Sequence, residues 1–443
     1  MKKWISLIIA FIIIVVAVVV LKPKISDHYY QESKTYTDSL KYDSALVYLN
    51  KSIKFNSKNT EAILARAKTF YQLDNDSSAL KDYNKLLFTD SLNFNVYFGS
   101  ALVYIRLEDY QEAISLLDKA TDLNRHVPEV FYFKGLSYSK ISKYEQALEN
   151  LNRAVEIDPL YAEAYYNRGI VWANLGDLET SVKDFNKSIE IDNKNLDAYN
   201  RRVKYRIDKE DYKGAIADYD AILEMDKNNV DAYYNRGYFK LRIGDYEGAV
   251  NDFTKAIGIN QDETYYLKRG NAFSALRKYN KAIADYDKGL RLNGRNAEFY
   301  YRKGLVYVNQ NELDKAVSNF SSAIKINSKY YEAYYLRGVS KAMQTKYKDS
   351  LKDFDLCIKY NEKYFDAYLG KATSLGVLKE HTEAIKYYDI YIQNNKKNGQ
   401  AYLNRGVSKI NISDTKGGCK DFQKALELGV ESAQEMLKMY CGS

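Results

Sequence analysis

The chain has 443 residues, and its 66 Lys and Arg exceed its 58 Asp and Glu to give a formal net charge of +8. The excess is spread over the whole length without a dense basic block, which argues for solubility and against a nucleic-acid footprint. His28, His126 and His381 lie far apart and Cys357, Cys419 and Cys441 contain no C-x-x-C pair, so a zinc ribbon, a thioredoxin-like motif and a histidine metal cluster are excluded and no cofactor is expected. Three prolines leave long stretches without a helix breaker, and 44 tyrosines outnumber 17 phenylalanines, a helical composition rich in amphipathic rings.

The first element runs from Ile5 to Leu21, apolar except for Ser6, between Met1-Lys2-Lys3-Trp4 and Lys22-Pro23-Lys24. At ~1.5 Å per residue it nearly crosses a ~30 Å hydrocarbon core, with Trp4 and the lysines placed for the interface. Residues 4–21 therefore read as a single transmembrane helix within an anchor segment, residues 1–25. A cleaved signal peptide is the competing reading, but the run ends Val18-Val19-Val20-Leu21-Lys22, with no small-residue cleavage site. A buried core helix is disfavoured because nothing else in this polar chain would cover it. The lysines on the two flanks nearly balance; the preferred orientation leaves the remainder extracytoplasmic (periplasmic), the alternative being a secreted or periplasmic protein after cleavage.

Beyond residue 25 the chain repeats itself. Ala164-Tyr165-Tyr166-Asn167-Arg168-Gly169 returns as Ala232-Tyr233-Tyr234-Asn235-Arg236-Gly237, Ala333-Tyr334-Tyr335-Leu336-Arg337-Gly338 and Ala401-Tyr402-Leu403-Asn404-Arg405-Gly406. The last position of the phrase falls on Ser33, Ala67, Ala101, Gly135, Gly169, Val203, Gly237, Gly270, Gly304, Gly338, Ala372 and Gly406, in steps of 34 except for the 33 between Gly237 and Gly270.

Period and residue types resemble the tetratricopeptide repeat, a helix-turn-helix unit with a small residue at its eighth position. The unit beginning at Pro128 carries the other marks at Phe131, Gly135, Tyr138, Ala147, Leu151, Ala154 and Pro159. Val203 departs from the pattern at position eight, and Ser181, Ser350 and Gly418 depart at position twenty. The resemblance implies an all-α, right-handed superhelical solenoid of about twelve repeats over residues 26–430, starting near 26, 60, 94, 128, 162, 196, 230, 263, 297, 331, 365 and 399. A capping helix follows at 431–443. Small residues at eight and twenty let paired helices approach, and rings at four, eleven and twenty-four fill the gaps between units. No helix buries enough alone, so stability comes from stacking.

Position seven holds Arg in seven units, and the residue sixteen further on is then always Asp: Arg66/Asp82, Arg168/Asp184, Arg202/Asp218, Arg236/Asp252, Arg269/Asp285, Arg337/Asp353 and Arg405/Asp421. Where position seven is Lys, the partner position holds Asn150, Asn319 or Tyr387. Either these are ion pairs joining two helices, or the units share both residues by recent duplication. At the C-terminus, Cys419 and Cys441 are either two buried thiols or, in an oxidising compartment, a disulfide pinning the cap.

In the family the first helices line a concave face, and positions two, five, nine, twelve and thirteen look into it. Position five carries Tyr30, Phe98, Tyr132, Tyr166, Tyr234, Tyr301 and Tyr335, a row suited to holding an extended peptide or a partner helix, unless the rings only pack against the next helix. Acids at position two, such as Glu163, Asp231 and Glu298, are explained by the helix macrodipole. The lysine and asparagine clamp with which some family members grip chaperone carboxylates is absent.

The expectation is a non-enzymatic scaffold or adaptor tethered to a membrane and binding proteins or peptides, with no small-molecule substrate and no nucleic acid. The alternative is an accessory subunit of an envelope-assembly or glycosylation enzyme complex; against it, the repeats leave no room for an active-site domain.

Overall fold

The computed structural model describes residues 2–442; Met1 and Ser443, at the outer ends of the expected anchor and cap, lie outside the described residues, as do the side chains of Lys2 and Ala17. Among the described residues every regular element is helical.

From Lys2 to Asp38 the chain is one unbroken helix, built of Lys2–Val16, a π-helical turn over Ala17–Leu21, and Lys22–Asp38. Pro23 accounts for the turn: it has no N–H for the carbonyl four residues back and its ring crowds that carbonyl, so the ladder widens just ahead of it. The helix is long and apolar enough to cross a membrane, with a mean hydropathy of 3.3 in its apolar window and none of that window buried. It continues without a break into the first helix of the first repeat.

Counting the end of that helix as the first, twenty-four helices succeed one another in chain order as the A and B helices of twelve repeats among the described residues. The first helix of a pair, helix A, typically has 13 residues, as in Ala162–Asn174, and the second, helix B, 14, as in Leu178–Ile191. The turn from A to B is made the same way throughout: position fifteen takes a left-handed backbone, with φ of 54° at Asp74, 61° at Thr345 and 87° at Gly176. The following N–H then reaches back to a carbonyl of the last turn, as Asn75 N does to Phe70 O at 2.9 Å, which satisfies acceptors the helix end would leave open. Only two of these turn positions hold the glycine that the conformation favours, Gly176 and Gly244. Many returns from B to the next A are closed by a side-chain cap, as where Asn59, Asn229 and Asn398 accept from Ala62, Ala232 and Ala401, whereas Val127, Tyr161, Tyr330 and Tyr364 stand at the same place without one. In the 33-residue repeat, helix B (Tyr246–Ile259) keeps its length and the missing residue comes out of this return, where Asp262 caps the next helix.

Helices A and B of a repeat meet at positions eight, twenty and twenty-four. Gly169, Gly304 and Gly406 lie beneath Phe185, Phe320 and Phe422, so that a Cβ there would stand 2.7, 2.5 and 2.7 Å from the ring. That is the physical content of the small eighth residue: the ring lies on bare backbone. Ala147, Ala249, Ala282 and Ala316 at position twenty are wholly buried. Serine is accepted there because its hydroxyl finds a partner; Ser181 donates to Gly169 O at 2.7 Å.

The array divides into two compact units, Met1–Glu210 and Asp211–Ser443. The N-terminal unit holds the apolar helix, repeats one to five and helix A of the sixth. The C-terminal unit holds helix B of the sixth, repeats seven to twelve and a last helix, Ser432–Cys441, whose Ala433 and Leu437 pack with Leu403, Phe422 and Ala425. Cys419 and Cys441 are joined there as a disulfide with Cα atoms 5.9 Å apart. Cys357 is a buried free thiol, pushed up to about 12 by burial and therefore inert at neutral pH.

Candidate binding face and the arginine bridges

Each position-seven arginine lies between helices, and its planar fork offers donors in two directions. Arg66 meets Asp82 with two bonds, Nε to Oδ2 at 2.7 Å and Nη2 to Oδ1 at 2.8 Å. Arg168–Asp184 (2.8 and 2.6 Å), Arg236–Asp252 (2.9 and 2.5 Å), Arg269–Asp285 (2.7 and 2.7 Å), Arg337–Asp353 (3.0 and 2.5 Å) and Arg405–Asp421 (2.8 and 2.6 Å) repeat that geometry. Arg202 and Asp218 belong to different compact units. The paired aspartates are buried. Burial works against the charge of Arg168, Arg236 and Arg405, and the bonds to their aspartates outweigh it, holding each above the ordinary arginine value.

The remaining terminal nitrogen makes a contact that the sequence reading missed. It donates to position twenty-five in helix B of the preceding repeat: Arg66 to Asn50 (2.7 Å), Arg168 to Asn152 (2.8 Å), Arg202 to Asn186 (2.7 Å), Arg236 to Asp220 (2.6 Å), Arg337 to Ser321 (3.0 Å) and Arg405 to Asp389 (2.6 Å). One guanidinium thus ties three helices across two repeats. Where lysine replaces arginine the carboxylate moves to this second position: Lys134 pairs with Asp118 (2.6 Å), Lys303 with Asp287 (2.6 Å) and Lys371 with Asp355 (2.5 Å). An ammonium lacks the fork that makes two parallel bonds to a carboxylate, and no position-seven lysine faces an aspartate at the first site: Lys371 also donates to Tyr387 Oη (2.6 Å), whereas Asn150 and Asn319 turn their amides to Gln146 O and Lys315 O of their own helices. The signal was available in the position-twenty-five column, which holds short acceptors beneath arginine and aspartate beneath every lysine.

Two further groups complete the bridges. Tyr165, Tyr233, Tyr266, Tyr334 and Tyr402, at position four, lie with ring centroids 5.1–5.6 Å from the guanidinium one helical turn on. Lys240, Lys341 and Lys409, at position eleven, place a second cation 2.8–2.9 Å from Asp252, Asp353 and Asp421. The tyrosine abundance is therefore partly spent on covering charge.

The position-five rings are all half-buried. Tyr166, Tyr234, Tyr301 and Tyr335 rest on the position-twenty-four rings Phe185, Phe253, Phe320 and Phe354 at 5.9–6.1 Å. Rings from the B-to-A return wedge beside them: Tyr161 against Tyr132 (5.0 Å), Tyr330 against Tyr301 (4.9 Å) and Tyr364 against Tyr335 (5.1 Å). Phe98 packs on Phe94 and Phe133, and Tyr30 lies under Lys34 Nζ at 4.5 Å. Tyr132 Oη accepts from Asn167 Nδ2 of the next repeat at 3.2 Å. Burial raises the hydroxyls of Tyr132, Tyr234 and Tyr301, and pushes Tyr335 up to about 12, so these four stay neutral. These rings support the stack and keep part of their surface exposed. Of the acids at position two, Glu298 is engaged within the fold, accepting from Arg302 (2.6 Å) and Tyr330 (2.5 Å).

In the N-terminal unit, groove positions nine, twelve and thirteen of the fifth repeat open on a cleft of about 220 Å³, floored by Ile170, Val182 and Phe185 and rimmed by Arg201 and Lys204. Among the described residues no group of three or more His, Cys, Asp or Glu is placed to hold a metal ion.

Paired antiparallel helices stacked at a fixed period, with small residues where the pairs cross, define a helical-hairpin repeat protein. The family described as TPR repeat matches residues 135–176, 270–311 and 304–345; tetratricopeptide-repeat descriptions match 162–195 and 219–251; and the family described as anaphase-promoting complex, cyclosome, subunit 3 matches 74–154. The chain belongs to the tetratricopeptide-repeat proteins. No curated protein matches it. Among solved structures it is similar to YrrB, described as a TPR protein with an unusual peptide-binding site (23% identity, 42% of this chain and 97% of that one, TM-score 0.36). It is also similar to the Cut9–Hcn1 hetero-tetramer of the APC/C (12%, 94% and 96%, 0.43) and to yeast Tom70 (16%, 86% and 94%, 0.38).

Proposed function

We propose that this protein is a non-catalytic scaffold, held to a membrane by residues 4–21, that binds proteins or extended peptides along the face formed by its A helices. The observation that carries the reading is the division of labour among side chains. Arginine, aspartate and the position-four tyrosines are consumed in holding repeats together, whereas positions five, nine and twelve carry mainly rings and aliphatic side chains, with scattered polar residues such as Lys34, Lys204 and Asn271 among them. Such a surface binds by shape and apolar contact, with ordering costs kept low because the rings are already fixed by the stack. The apolar helix supports the tether, since nothing in the fold covers it. The Cys419–Cys441 bond supports an extracytoplasmic location for the repeats, because disulfides persist in oxidising compartments.

The test is capture from detergent-solubilised membranes, comparing wild type with the combined change Tyr166→Phe, Tyr234→Phe and Tyr301→Phe and with the same positions changed to Ala. Phenylalanine keeps the stack and removes only the hydroxyls. Partners lost with Ala, in protein of unchanged helix content, support the face; an identical partner set from all three proteins removes these rings from the account.

A further inference from the structure

One edge of the N-terminal unit lies level with the end of the apolar helix. The same helix that carries residues 4–21 becomes helix A of the first repeat, so distance along it is height above the hydrocarbon. Ser26 is four residues past Lys22, about 6 Å of helical rise. At that height the first B-to-A return is pinned to it: Asn59 Nδ2 donates to Ser26 Oγ (3.0 Å) and to Asp27 Oδ1 (3.3 Å), and Ser26 Oγ is 3.0 Å from Ser52 Oγ. The end of the second repeat's helix B stands beside the same return, since Lys85 Nζ donates to Ser57 O at 3.0 Å. Phe88, one turn on from Lys85, and Leu92, in the return that follows this helix, are exposed by 90% and 82%, the barest large apolar side chains outside the apolar helix. The polar layer on each side of a bilayer is about 5–8 Å thick, so this edge and the headgroups occupy the same level.

Resting on the reading of residues 4–21 as a membrane span, we propose that the return edge of the first two repeats is a lipid-contacting surface that seats on anionic headgroups. Phe88 and Leu92 enter the boundary between headgroups and acyl chains. Lys22, Lys24, Lys54 and Lys58, which are exposed and have no carboxylate partner among the described residues, meet lipid phosphates. Of the acids nearby, Asp27 accepts from Asn59 and Asp90 accepts from Asn93 Nδ2 at 2.8 Å, which leaves exposed Glu61 as a lone opposing charge against four lysines. The tether thereby becomes a two-point attachment that fixes the orientation of the first repeats, where a lone helix would leave them free to swing.

The test uses the full chain in vesicles of phosphatidylcholine, with or without phosphatidylglycerol, whose acyl chains are brominated near the headgroup. Against Trp4→Phe and Trp172→Phe, single reporters are placed by Phe88→Trp, by Leu92→Trp as a second site, and by Leu107→Trp in an A-to-B turn on the opposite edge; Trp172→Phe alone leaves Trp4 to report the span. The expectation is quenching of Trp4 and of both edge reporters, no quenching at 107, and stronger edge quenching with phosphatidylglycerol. Quenched Trp4 with unquenched edge reporters overturns the seated edge and leaves the span standing. Unquenched Trp4 overturns the span and the edge with it. Edge quenching that ignores phosphatidylglycerol overturns the assignment to anionic lipid.

Discussion

Replacing Arg269 by alanine should destabilise its repeat more than the same change at Arg236, although both arginines make the same two bonds to a buried aspartate. The side chains of Asp285 and Arg269 are 5% and 12% exposed, and Phe273 stands where other repeats have a second cation, so the change leaves Asp285 buried and without compensation. Breaking one partner of such a pair costs about 3–5 kcal/mol. At Arg236 the aspartate keeps Lys240 Nζ at 2.9 Å. A retained charge-assisted bond is worth about 1.5–3 kcal/mol, so the loss there should fall to about 1–3 kcal/mol. Because each repeat touches only its neighbours, the loss is local and is best read as hydrogen exchange of the amides in Tyr279–Leu292, alongside urea unfolding of the full chain in detergent. A double-mutant cycle of Arg269→Ala with Asp285→Ala should return a coupling of about 2–3 kcal/mol. Equal losses at 269 and 236, or a coupling under about 0.5 kcal/mol, would refute the buried bridge and leave shared descent as the reason for the pattern.

Thr345 holds a left-handed backbone (φ 61°) that a β-branched residue adopts at a cost, so Thr345→Gly should stabilise the tenth repeat by about 1 kcal/mol, against the usual sense of a glycine substitution; a loss of stability in urea would contradict the turn. Alkali should unfold the protein early. Burial raises the hydroxyls of Tyr83, Tyr286 and Tyr388 and pushes Tyr219 up to about 12. The folded state then keeps protons that an unfolded chain releases above pH ~10, and the stabilisation is full below that pH and lost as it rises through 12. Ellipticity and tyrosinate absorbance should change together over that interval; tyrosinate appearing without loss of helix would count against it. Cys441→Ser should free the last helix, Ser432–Cys441, at a cost of about 3 kcal/mol set by the 22-residue separation of the two cysteines, seen as faster exchange confined to residues beyond 430, with unreduced wild type lighter by two hydrogens than the reduced protein.

The spacing of small residues made the helix pairs legible, because contact between helix A and helix B demands bare backbone opposite a ring, and Gly169, Gly304 and Gly406 meet that demand at a constant interval. The Arg and Asp columns were visible as a pattern within one repeat. Their third partner was legible only from the column as a whole, with aspartate beneath every lysine, since Asn50, Asn152 and Ser321 taken singly are short polar residues that would pass as solvent-facing. The A-to-B turn was hidden for a related reason: residues such as Arg277, Thr345 and Lys379 do not advertise a positive φ, which the closing of two packed helices imposes on them. The tyrosines were legible as a row but not in their division between covering arginines at position four and wedging the stack at position five.

The central claim is that partners are bound on the A-helix face of a membrane-held array. It is tested most directly by placing a photo-reactive residue at Tyr238, in groove position nine, and separately at Lys255, on an outward B helix, then illuminating intact membranes. The account predicts a protein adduct from 238, none from 255, and recovery of the 238 adduct in the membrane fraction. Adducts from 255 alone, or from both positions equally, would contradict it.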